Sequence, residues 1–265
     1  MLKKTLVGLA LAAPLFAFAA PTTFSNVPLG GAKTFDFEQI QISGGNSAVT
    51  LTDANMNGVL DAGDTFVETG LVAGVGFTDS LGNVLIDTGL NSSGGYQLFA
   101  VFNPLGGQVI AGGAIAPGIF SYVVGFAGTS GFDLYYDTDL SAGLQGSNII
   151  GRGSNGRGTC SVNSISQSGD CVLTFDFDAA AVSAAGVFTQ MGVDIGTLDA
   201  SVRVDMNVDA INPSFFSPTY SVVGGTQNRS LNHNGSASFT VPEPSSLALL
   251  GLAGLAGMAR RRKAA

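Results

Sequence analysis

The stretch "SVRVDMNVDA", Ser201 to Ala210, alternates with a period of two. Val202, Val204, Met206 and Val208 share one face; Arg203, Asp205, Asn207 and Asp209 share the other. One apolar and one polar face is the mark of a half-buried antiparallel strand. "TFDFEQIQI" (Thr34 to Ile42) sets Phe35, Phe37 and Gln39 on one side, then shifts phase at Ile40 and Ile42. "CVLTFDFDAAAV" repeats the TFDF core at Thr174 to Phe177, a recurrence better read as chance than as duplication. "GQVIAGGAIAPGIFSYVVGFAG" is apolar, but its glycines and Pro117 break any helix, so it reads as core strands around a tight turn. The 265 residues include 38 glycines, and only 11% are charged. Glycine is costly inside helices, and short Val, Ile, Phe and Thr segments between turn clusters dominate. The expectation is an all-β chain: one antiparallel β-sandwich or jelly-roll-like domain over residues 20–240, flanked by an N-terminal signal helix and a C-terminal hydrophobic helix.

Both ends read as signals. Lys3 and Lys4 precede an apolar run from Thr5 to Phe16. Ala17-Phe18-Ala19 then offers a small-x-small site with the cut before Ala20. Residues 1–19 are thus a secretory signal peptide. At the other end, Pro242-Glu243-Pro244 leads into Leu247 to Ala259, all apolar or glycine, and then Arg260, Arg261, Arg262 and Lys263. As a helix those thirteen residues span roughly 20 Å, and flanking serines and snorkelling arginine stems bring the length nearer to a bilayer core. The basic end stays inside by the positive-inside rule, as does the lysine pair, so the body between them is translocated.

Triplet, short apolar helix and arginine cluster, in that order at residues 241–265, resemble the PEP-CTERM sorting signal. The resemblance implies a Gram-negative bacterium that makes exopolysaccharide. It also implies transient anchoring in the inner membrane and processing near the triplet by an exosortase. A weaker resemblance lies just upstream. Arg229, a His233-Asn234-Gly235-Ser236 turn and a strand running into the triplet are similar to the flocculation-associated PEP-CTERM proteins, which implies a non-enzymatic role in cell aggregation.

Between Ala20 and Pro242 stand five basic residues against eighteen acidic ones, a formal charge of −13. That surface repels nucleic acid and anionic lipid and favours cations. Cys160 and Cys171 flank ten mostly polar, turn-forming residues, and in an exported chain they are expected to form a disulfide closing a loop or hairpin.

The sharpest internal motif is "DANMNGVLDAGD", Asp53 to Asp64. Asp53, Asn55, Asn57, Asp61 and Asp64 supply side-chain oxygens at positions 1, 3, 5, 9 and 12; Val59 offers a carbonyl at position 7. Gly58 sits at the sharp turn and Leu60 is placed to anchor the loop in the core. The spacing wraps oxygens around one point, as a hard cation needs, and resembles bacterial EF-hand loops such as those of dockerin-like modules. The flanks, "SAVTLT" and "TFVETG", read as strands, so the expectation is a structural Ca2+ loop between strands; the alternative is an Asp/Asn/Gly turn that binds nothing.

Other segments read more plainly. Asp133, Asp137 and Asp139 beside Tyr135 and Tyr136 suit a strand with a solvated acidic turn, though a glycosidase carboxylate pair has the same residue types. "GRGSNGRG" (Gly151 to Gly158) reads as a flexible glycine loop, and His233 as a surface-turn histidine. Three functions follow. The first is a non-catalytic matrix protein that joins exopolysaccharide or other copies of itself through many weak contacts. The second is a calcium-dependent carbohydrate-binding module, for which Tyr96, Tyr122, Tyr135 and Tyr136 are the rings at hand. The third is a secreted polysaccharide hydrolase.

Overall fold

The computed structural model describes residues 20–116, 119–140, 147–163, 168–178, 185–210 and 225–241. The expected signal helix and hydrophobic helix both lie outside these residues. The described chain is all-β. Its strands are β1 (Thr22–Ser25), β2 (Thr34–Phe37), β3 (Gln39–Thr52), β4 (Thr65–Thr78), β5 (Gln97–Ala116), β6 (Ile119–Phe126) and β7 (Ser130–Asp137). They continue with β8 (Asn148–Asn163), β9 (Ser168–Asp178), β10 (Phe188–Gln190), β11 (Val193–Asp194), β12 (Ser201–Ala210) and β13 (Thr226–Thr240).

The strands close into an antiparallel barrel rather than two packed sheets. Each neighbour follows in chain order from β3 through β5 to β8, β9, β12 and β13, and β13 pairs back onto β3. β6 and β7 share one position. Both run antiparallel to β5, β6 along its second half and β7 along its first, so they act as one strand interrupted at residues 127–129. Eight positions therefore surround the lumen. The expected sandwich or jelly roll is replaced by closure, which removes the exposed edges that two open sheets would leave.

Alternation decides which side faces in. Val202, Val204 and Met206 are buried, while Arg203 and Asn207 are exposed. Two ion pairs lie on the outer wall, Arg157 with Asp176 at 2.8 Å and Arg203 with Asp205 at 2.9 Å. An apolar lumen with a polar outer wall is the reverse of an outer-membrane barrel. The lumen is filled by side chains, and two apolar cavities among them measure about 60 Å³ and 40 Å³.

The phase shift in "TFDFEQIQI" marks a change of sheet. The chain leaves β2 at Phe37 and enters the barrel at Gln39, so Ile40 and Ile42 face the lumen. β1, β2, β10 and β11 form a second, four-stranded sheet over one end. Beneath it Phe24 is fully buried, with the rings of Phe35, Phe77, Tyr96 and Phe188 centred within 5.5 Å. The two TFDF copies fall in different sheets, yet Phe37 and Phe177 both touch Phe239 in this plug. "GRGSNGRG" is corrected from flexible loop to strand: it lies within β8, where a Cβ on Gly153 or Gly156 would collide with Phe132 or Phe175. Its glycines make room for lumen rings.

Candidate functional site

The barrel has a capped end, under the small sheet, and a loop end. The segment 53–64 joins β3 to β4 at the loop end. Leu60 is buried in the core and anchors it. Asp53 and Asp64 are also buried. The Asp53 carboxylate accepts the N–H groups of Asn57 (3.2 Å) and Gly58 (2.8 Å). Asp64 accepts those of Ala54 and Asp61, both at 3.0 Å. Gly58 has φ 77°, a left-handed turn that suits glycine. Asn55 and Asn57 donate their amides to the two oxygens of Asp61, each at 2.6 Å. The oxygens of the motif are thus gathered around one loop, and each carboxylate is held by N–H donors. Among the described residues, no three His, Cys, Asp or Glu side chains form a cluster able to hold a metal. The pattern's remaining donors are amides and the Val59 carbonyl, and Asn amides have two faces, one donor and one acceptor.

Cys160 and Cys171 stand directly opposite each other on β8 and β9, with Cα atoms 4.0 Å apart, and are joined by a disulfide. Both point into the lumen. The bond ties the β8–β9 hairpin at the loop end.

Mid-barrel there is a buried polar group built on His233. His233 is not in a surface turn. It lies within β13, 1% exposed, because Leu231 and His233 both take the inward phase. The His233-Asn234-Gly235-Ser236 segment is likewise strand, with a bulge between His233 and Gly235. His233 Nε2 lies 2.5 Å from Glu68 Oε1 and 2.8 Å from Ser47 Oγ, with Phe102 edge-on to its ring. Nδ1 has no hydrogen-bond partner. Serine and carboxylate thus meet the same nitrogen, whereas a proton relay needs them on opposite ones. With Nε2 protonated, its N–H donates to the Glu68 carboxylate and the Ser47 oxygen accepts as well. All three residues were legible in principle. Ser47 precedes Val49 and Leu51, Glu68 follows Phe66, and His233 follows Leu231, each two residues apart on the inward face.

The acidic segment is a strand, β7, that runs into an exposed bend at residues 138–140, as expected, but two of its three acids face inward. Asp133 is buried and takes a two-toothed grip from Arg152, at 2.5 and 3.2 Å. Asp137 is buried and accepts the N–H of Asp139, which is exposed. Tyr96, Tyr122 and Tyr136 are buried, and Tyr135 stacks on Phe99 at 5.1 Å, so these rings do not make an exposed platform. Burial pushes the hydroxyls of Tyr96, Tyr135 and Tyr136 above their ordinary range, with the neighbouring Tyr136 adding to the effect at Tyr96.

The termini of the described chain share the capped end. Gln190 of β10 holds the Ala20 carbonyl, and Thr240 at the end of β13 pairs with Ser201. Ala17 and Ala19, the triplet Pro242-Glu243-Pro244 and Arg260 to Arg262 lie outside the described residues. A family model, described as PEP-CTERM protein-sorting motif, matches residues 240–263. No curated protein and no solved structure gives a significant match to the chain.

Proposed function

From the PEP-CTERM sorting motif that this chain carries, and the exosortase-dependent export it implies, we propose a non-catalytic matrix protein that supports exopolysaccharide-associated cell aggregation. One observation carries the reading. The last barrel strand ends at Thr240 and the matched motif begins at residue 240, so release near the triplet detaches the signal and leaves every barrel strand in place. What reaches the outside is a closed, disulfide-tied body with an acidic, hydroxyl- and amide-rich wall. Such a wall makes many weak hydrogen bonds to polysaccharide or to other copies, and adhesion then depends on multivalency. Deleting the gene is expected to disperse cell aggregates while polysaccharide synthesis continues. Unchanged aggregate size in the deletion strain rejects the role.

The 53–64 loop adds a structural Ca2+ to this proposal. Turning the Asn55 and Asn57 amides over would replace two donors facing Asp61 by two acceptors, and a divalent ion would then take the place of those N–H groups. Calorimetric titration of chelator-treated protein with Ca2+ tests it, and a flat titration removes the ion. The burial of Tyr96, Tyr122 and Tyr136 weighs against a ring-platform lectin.

A further inference from the structure

The three most exposed large apolar side chains of the described residues are Leu81 (84%), Ile86 (83%) and Met191 (84%). All three sit at the capped end. Leu81 and Ile86 lie in the connection from β4 to β5, and Met191 is in the turn between β10 and β11. Val27 and Val84, both more than half exposed, belong to the same end. Side chains of this size do not serve the core when exposed on turns, and of the four most exposed, three lie at this end, with Met56 (70%) the one at the loop end.

The chain's own connectivity names what this end meets. β13 runs to Thr240 at this end, and Val241 still packs against the core. Five residues separate Val241 from Leu247, the first residue of the apolar run in the sorting signal. Even fully extended, that segment spans only about 20 Å. While the apolar run is in the bilayer, the capped end is held at the membrane surface. The loop end, a strand of 14 residues away, stands roughly 30 Å farther out once the strand tilt is allowed for.

We propose that the capped end is a membrane-contact face, in which Leu81, Ile86 and Met191 enter the outer leaflet of the inner membrane before processing. The inference rests on the reading of residues 247–259 as a bilayer-inserted segment. The contact is apolar, not electrostatic: the strands and connections of this end carry Asp36, Glu38, Asp79, Asp87, Asp194 and Asp199, with Lys33 as a cation among them. It therefore survives high salt, which screens the repulsion between these acids and anionic lipid. Its effect is to hold the end of β13 close to the bilayer, in reach of a membrane-embedded protease.

The test uses the full, unprocessed chain in phosphatidylcholine–phosphatidylethanolamine vesicles. A small fluorophore is attached at Leu81→Cys, at Met191→Cys or, at the loop end, at Met56→Cys. Quenching by spin-labelled acyl chains is expected to be at least threefold stronger at 81 and 191 than at 56, and to persist in molar salt. Equal lipid quenching at all three positions overturns the proposal. So does protection of 81 and 191 from aqueous iodide without lipid quenching, which would assign the face to a second copy of the chain. Alkaline extraction of the same vesicles reports separately on the tail. Release of the chain refutes the inserted-tail reading, while the quenching pattern still decides the contact face.

Discussion

Replacing Asp64 by Asn tests the physical account of the 53–64 loop. Asp64 is fully buried, and its two oxygens accept the N–H groups of Ala54 and Asp61, each at 3.0 Å. Its own backbone carbonyl takes the Val109 N–H at 2.8 Å, which ties the loop's last residue to β5. In the Asn variant one of the two oxygens becomes an NH2, and one loop N–H then faces a donor. Losing a hydrogen bond to a charged group costs about 1.5–3 kcal/mol. For a body of this size each kcal/mol moves Tm by about 2–4 °C, so the variant is expected to melt about 3–12 °C lower. The assay is far-UV circular dichroism melting in chelator. Asp61→Asn is the control. Asp61's side chain accepts exposed Asn amides, and its replacement is expected to shift Tm by no more than about 2 °C. A variant at position 64 that melts with wild type refutes the claim that this carboxylate organises the loop. The same melt with calcium tests the ion. At about 2 mM Ca2+ and a Kd of about 0.1–1 mM, binding adds about 0.7–1.8 kcal/mol, a rise of about 1–7 °C that Asp64→Asn abolishes.

Three further outcomes are expected. Reducing the Cys160–Cys171 bond, which closes a loop of separation 11, removes about 3 kcal/mol by chain entropy and lowers Tm by about 6–12 °C; an unchanged melt after verified reduction contradicts this. His233→Leu alone strands the buried Glu68 carboxylate and costs about 3–5 kcal/mol in urea unfolding, whereas Glu68→Leu with His233→Leu recovers most of that loss; simple additivity of the two changes refutes the pairing. The carboxyls of Asp176, held by Arg157 and then Asn155, and of Asp79, held by the Asn83 side chain, lie below the usual carboxylate range. Their stabilisation is full above the unfolded value of about 3.9 and is lost as pH falls through the folded value. Asp176→Asn should therefore flatten the fall in urea midpoint below about pH 4, and an unaltered acid limb counts against it.

Period two made the strands legible. "SVRVDMNVDA" declared its inner face, and the phase break after "TFDF" located the point where the chain changes sheet. The hairpin cysteines and the strand-flanked 53–64 loop were also readable, because each depends on residues close in sequence. His233 was misread as a surface-turn residue by weighing residue type over phase, and its partners Ser47 and Glu68 were not singled out. Histidine, serine and glutamate usually face water, but alternation had already turned these three inward. The glycines of β8 misled for a related reason: they look like a loop until the rings that need their space are known.

Local pattern by itself determined that the chain is β-rich, where several strands fall, and that its C-terminal end carries a sorting signal, since those properties are written within short windows. Only the tertiary structure decided closure. A sandwich and a barrel use the same alternating strands, and the difference lies in whether β13 pairs back onto β3, a contact that joins residues as far apart in sequence as Gln39 and Ser238. The same holds for the polar group inside the lumen and for the apolar residues gathered around the capped end. Each joins segments far apart in sequence, and the pairing of distant strands, not any local preference, brings them together.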